Sequence, residues 1–191
     1  MKIIKLRSRI FAAMLAALMG LGTTSSVYAY SVYRSVTADG GGVVVWTSQN
    51  FGVSAGPLPP PPLPPRLPTL SFFHYADDNA ARAGLPNAQC FVKVDLGNLV
   101  NLLVGTQVPV GNVNIPVNGL PADNPRPFPW NITFDDDPPG HWSIAKAEIQ
   151  NPQSTNAAAS RVAAAGFQSL ATTGGSGVTV VNGLLHNCAA Q

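Results

Sequence analysis

Eight of the twelve residues from Pro57 to Pro68 are proline, and no other stretch restricts the fold of this chain as severely. Each proline removes a backbone N–H and fixes φ, so the run belongs neither in a helix nor in the middle of a sheet, and it favours an extended polyproline II rod. The core must therefore be built by the flanks, 30–56 and 70–191, with 57–69 as a spacer between them or a long loop within one domain.

The flanks read as mainly β. Residues 30–37 alternate and are followed by the turn Asp39-Gly40-Gly41-Gly42 and the β-branched run 43–47, which predicts an N-terminal hairpin. In 89–96, Cys90, Val92, Val94 and Leu96 share one face of a strand. Residues 98–104 are compatible with a helical turn or a strand. Prolines and glycines interrupt the apolar residues of 107–117, as suits an edge or bulged strand. Phe128, Trp130, Ile132 and Phe134 alternate with polar residues and proline, and 142–149 returns across an acidic turn as an antiparallel partner. Near 156–171 the alanine-rich sequence places Ala159, Ala163, Phe167 and Leu170 on one helical stripe, ended by Gly174-Gly175. A second hairpin is expected from 178–181 and 184–188, joined by Asn182-Gly183 in a type I′ turn. The expected fold is mainly β (α+β): an antiparallel sheet or sandwich with one helix in the C-terminal half and one disulfide.

Residues 1–29 have the form of a secretory signal peptide. Lys2, Lys5, Arg7 and Arg9 precede the uncharged apolar run 10–21, and Val27-Tyr28-Ala29 offers a cleavage site before Tyr30. The apolar run is shorter than the ~20 residues a spanning helix needs. No stable membrane anchor is thus expected after cleavage, and the mature chain is expected to be secreted or periplasmic. Of the 11 basic and 9 acidic residues, four bases lie in the signal, which leaves a mature formal charge of −2 and no basic patch for nucleic acid. Only 10% of residues are charged, against roughly a quarter in ordinary soluble domains. Cys90 and Cys188 are the only cysteines, and an oxidising destination makes one bridge between them the expected state.

Candidate chemistry is sparse. His74 with Asp77 or Asp78, or His141 with the Asp135-Asp136-Asp137 turn, supplies the His/Asp pair of a hydrolase, but no Gly-x-Ser-x-Gly elbow marks a nucleophile. The three adjacent carboxylates, Asp135, Asp136 and Asp137, repel one another and suit a hard cation such as calcium, although the EF-hand ligand spacing is absent. No other cofactor is expected. Within Pro61-Pro62-Leu63-Pro64-Pro65-Arg66, the prolines Pro61 and Pro64 with Arg66 match the proline-rich ligands that dock in aromatic grooves. Trp130, Phe134 and Trp142 would form a glycan platform if exposed, but their in-phase placement on strands makes them core. These features point to an exported noncatalytic structural or interaction protein with an unidentified protein or glycan partner. Its rivals are a secreted hydrolase and a calcium-assisted adhesion or carbohydrate-binding module.

Overall fold

A computed structural model describes residues 30–53, 69–99, 102–115, 126–146 and 156–191. The expected signal segment, 1–29, and the proline-rich run, with Pro61, Pro64 and Arg66, lie outside them. The described residues form β1 (Ser31–Val36), β2 (Ser71–His74), α1 (Asp78–Gly84), β3 (Cys90–Asp95), β4 (Gln107–Ile115), β5 (Arg126–Phe134), β6 (His141–Lys146), α2 (Asn156–Thr172) and β7 (Val178–Asn182). The strands make one antiparallel sheet in the order β4-β5-β6-β2-β1-β3-β7.

The sheet curls into a half-barrel around α2. Seven strands laid flat would span about 29 Å between edge axes. Curling brings both edge strands, β4 and β7, against the single helix α2. The helix turns the expected stripe inward: Ala159, Ala163, Phe167 and Leu170 are buried, together with Ser160. The buried serine is satisfied, since its Oγ donates to the Asn156 carbonyl at 2.6 Å and accepts from Val53 N at 3.1 Å. At the other end, Ser176 Oγ donates to the Leu170 carbonyl at 2.6 Å, and Gly175 takes φ 78°, closing the helix where the glycine pair was expected to end it.

Strand β3 shows how the alternation works on both faces. Cys90, Val92 and Val94 join the main core under α2. Phe91, on the opposite face, packs with Tyr33 and Ala81 in a smaller cluster beneath α1. Trp130 and Trp142 are fully buried, as their phase predicted.

Strand β4 lies at an edge and carries a register shift between Pro109 and Gly111, so the missing N–H of Pro109 leaves no gap in an inner ladder. Strand β5 is internal yet contains Pro127 and Pro129. Both pair only with β4, because β6 meets β5 from Asn131 onward.

Neither predicted hairpin forms as expected. At the N-terminus the tight turn is present: Asp39 Oδ1 accepts from Gly41 N and Val43 N, each at 2.9 Å, and Ala38 bridges Val44. After Val45, whose N–H donates to the Thr37 carbonyl at 3.0 Å, the run 43–47 does not continue as a partner strand: β3 takes one edge of β1 throughout, and on the other β2 takes Val32 and Tyr33. The buried side chain of Asn50 braces this segment instead, accepting from Thr37 N at 3.1 Å and donating to the Val45 carbonyl at 2.6 Å.

At the C-terminus, residues 184–188 form no strand, and Leu185 is 88% exposed. Asn182 and Gly183 both lack the positive φ of a type I′ turn. Gly183 N donates to the Gln89 carbonyl at 2.9 Å, and a Cβ there would run into the carbonyl oxygens of Ala88 and Gln89. The glycine is required by close approach of two backbones rather than by its dihedral. Gly183→Ala is expected to cost about 1–3 kcal/mol through forced displacement of that backbone. Urea unfolding checks this, and a change below about 0.5 kcal/mol would show that the contact is not restrictive.

The helix α1 escaped the sequence reading because seven residues are too few to show a period. Asp77, the residue before it, is its N-cap and accepts from Ala80 N at 2.8 Å.

Candidate functional site

The acidic turn between β5 and β6 assembles a polar cluster. Alternation places His141 and Ser143 on the same face of β6, both buried, and Asp135 follows β5 directly. His141 Nδ1 lies 2.5 Å from Asp135 Oδ1, and Ser143 Oγ donates to Asp135 Oδ2 at 2.7 Å. The His141 and Asp135 pairing expected from sequence is therefore present. Ser143 is the member the sequence reading missed, although its position two residues after His141 is the signal that could have found it.

The geometry is that of a carboxylate receiving two donors. Ser143 directs its proton to Asp135, not to the imidazole, so the hydroxyl-to-histidine hydrogen bond of a serine nucleophile is not made. Asp136 has φ 52° and accepts from Gly140 N at 2.7 Å. Asp137 is exposed and precedes Pro138 through a cis peptide bond. Thus the carboxylates of Asp135 and Asp136 are each directed to donors within the protein. Among the described residues no group of three or more His, Cys, Asp or Glu side chains is arranged to hold a metal ion.

The second expected pair is not joined. His74 ends β2, with Nδ1 2.9 Å from the Ser31 carbonyl, an acceptor that fixes the proton on Nδ1. Its ring stacks on Tyr30 at 3.8 Å between centroids. Asp77 is engaged as the cap of α1. Asp78 accepts from Tyr33 Oη at 2.8 Å and pairs with Lys93 Nζ at 2.9 Å. Partial burial raises the Asp78 carboxyl, but the hydrogen bonds from Lys93 and Tyr33 and the Lys93 and Arg82 charges outweigh it and hold the group below the usual range. Burial and the hydrogen bond to Asp78 push the Tyr33 phenol upward.

Tyr30, the residue after the expected cleavage point, is fixed by its backbone. Its N–H donates to the Gly97 carbonyl at 2.7 Å, and its own carbonyl accepts from Leu96 N at 2.8 Å. Its phenol is raised chiefly by burial, against a hydrogen bond from Trp142.

Arg34 was not among the expected site residues, although a cation in phase with Val32 and Val36 on a buried strand is itself a signal. Its Nε donates to the Asn50 carbonyl at 2.7 Å, Nη1 to the Ser71 carbonyl at 2.8 Å and Nη2 to the Gly52 carbonyl at 3.3 Å. The guanidinium lies 5.9 Å from the centre of the Phe51 ring. No carboxylate among the described residues pairs with it. Burial lowers its pKa to about 10, so it remains cationic at neutral pH. The acceptors lie on both sides of the proline-rich run, so one side chain holds Gly52 and Ser71 together.

Cys90 and Cys188 form the expected disulfide, with Cα atoms 6.0 Å apart. A structural disulfide is the mark of a non-cytoplasmic environment. No helix among the described residues is long and apolar enough to cross a membrane. No family model, no curated protein and no solved structure matches this chain.

Proposed function

We propose that this is a secreted or periplasmic, noncatalytic interaction protein in which the stapled half-barrel is the scaffold and the proline-rich run is the contact segment. Pro61, Pro64 and Arg66 supply its ligand-like pattern. The observation that carries this reading is the Arg34 guanidinium, which gathers the carbonyls of Asn50, Gly52 and Ser71. The residues flanking the run are thereby held at one place on the sheet, between β1, which precedes the run, and the central strand β2, which follows it. A scaffold that pins both ends of a proline-rich segment suits presentation to a partner groove. The Asp135 cluster supports the noncatalytic side of the reading, since its hydroxyl and imidazole both serve the carboxylate.

The test is affinity capture from the native exported fraction with the mature chain and with a Pro61→Ala/Pro64→Ala/Arg66→Ala variant, each with calcium and with a chelator. The expected result is a partner held by the wild type and lost by the variant, with unchanged near-UV circular dichroism. Identical capture by both chains would overturn the role of the run. Turnover of a nitrophenyl ester that His141→Ala abolishes would replace the reading with the hydrolase. Capture that depends on calcium and ignores the variant would favour the adhesion module.

A further inference from the structure

The Arg34 guanidinium also borders a cavity. Strands β1 and β2 are paired only at Val32 with His74 and Tyr33 with Phe73. Beyond that pair the Arg34 side chain, rather than a ladder bond, reaches the Ser71 carbonyl. The space where the strands part has a volume of about 330 Å³ and is lined by Arg34, Ser35, Ser71, Phe73, Tyr75 and Leu85.

The lining has two chemical halves. Phe73, Tyr75 and Leu85 present apolar and aromatic surface. Arg34, Ser35 and Ser71 present donors at the other side. A guanidinium carries five N–H groups, and three are directed to backbone carbonyls here, so each terminal nitrogen keeps one more. Those two are placed on the two nitrogens that grip a carboxylate as a fork. The cation has no acidic partner of its own, and a half-buried unpaired charge gains most from an incoming opposite charge.

We infer that this cavity is a binding site for a carboxylate attached to an aromatic or branched apolar group, with Arg34 and the two serine hydroxyls on the carboxylate and Phe73, Tyr75 and Leu85 around the apolar group. A small free acid and the C-terminal residue of a peptide share this chemistry. The site shares Arg34 and Ser71 with the clasp that flanks the proline-rich run, but its ligand does not involve the run, and the two readings fail separately, since the Pro61→Ala/Pro64→Ala/Arg66→Ala variant leaves the cavity lining unchanged.

Calorimetric titration of the mature, disulfide-bonded protein with N-acetyl-L-phenylalanine and with its amide tests the site. The acid is expected to bind at least about tenfold more tightly than the amide, as loss of a charge-assisted hydrogen bond implies. The same comparison with acetyl-Gly-Gly-Phe and its amide separates the sources. Tighter binding of the peptide acid than of the single residue identifies a chain terminus, and the reverse identifies a small acid.

Arg34→Gln should remove the preference for the acid, but it also releases the Asn50, Gly52 and Ser71 carbonyls. Ser35→Trp is the second variant: Ser35 is exposed on the cavity rim, and a large ring there fills the space without touching the Arg34 hydrogen bonds. It should abolish binding of the acid while the unfolding midpoint stays near that of the wild type. Equal affinity for acid and amide, undiminished binding by a folded Ser35→Trp protein, or no binding of either acid at millimolar concentration would overturn the assignment.

Discussion

Replacing Cys188 by serine is expected to lower the unfolding free energy by about 2–5 kcal/mol, the range for native bridges in small secreted domains. The bond spans 98 residues, and the chain-entropy account values a loop of roughly 100 residues at about 4.7 kcal/mol. It also acts where regular structure has ended. After β7 stops at Asn182, the terminal residues are attached by a few hydrogen bonds, including Cys188 N to Asn182 Oδ1 at 2.8 Å and Val44 N to the Ala189 carbonyl at 3.0 Å. Cys90→Ser removes the same link, so the double variant should match the single ones rather than sum them. Cys90 is fully buried, however, and a serine hydroxyl there adds a desolvation cost, which makes Cys90→Ala the cleaner partner. Urea unfolding under non-reducing conditions measures the loss. An unchanged midpoint, or free thiols at both positions in peptide mapping, would contradict it.

Phe167→Ala is expected to cost about 3–5 kcal/mol, a large part of the 5–15 kcal/mol that stabilises a typical domain. The fully buried ring projects from α2 into the hollow of the half-barrel, with the rings of Trp130 at 4.8 Å, Phe72 at 5.2 Å and Phe51 at 5.7 Å between centroids. These neighbours come from β5, β2 and the segment after β1, so the vacancy would lie where three distant parts of the chain meet. Such a site collapses poorly, because Trp130 and Phe72 are held by their own strands and Phe51 by the segment that Asn50 braces. Arg161→Ala, on the exposed face of the same helix, is the control and should stay within about 0.5 kcal/mol of wild type. A loss below about 1 kcal/mol at Phe167 would mean that the core repacks around the missing ring.

The candidate site was legible in part. Asp135 with His141 follows from a six-residue separation across a turn between two strongly patterned strands, and Ser143 follows from period two. The Arg34 site needed the fold, because Asn50, Gly52 and Ser71 offer backbone carbonyls, which every residue has and no side-chain pattern distinguishes. His74 and Asp78 are close in sequence but were drawn to different partners, Ser31 and the Tyr33/Lys93 pair.

By itself the sequence determined what is local or unique. The phase of Cys90, Val92 and Val94, the return of β6 on β5, the buried stripe of α2 and the pairing of the only two cysteines all follow from period, turn chemistry or count. Tertiary structure decided which strands are neighbours. Periodicity assigns a side chain to a face but carries no information about the backbone edge, which is where strands pair. Placing β1 between β2 and β3 gave one of its edges wholly to β3 and part of the other to β2, and 43–47 turned away after a single bridge. In the same way, the approach of Gln89 to Gly183 replaced an expected hairpin turn with a contact between backbones 94 residues apart, which only long-range packing could bring together.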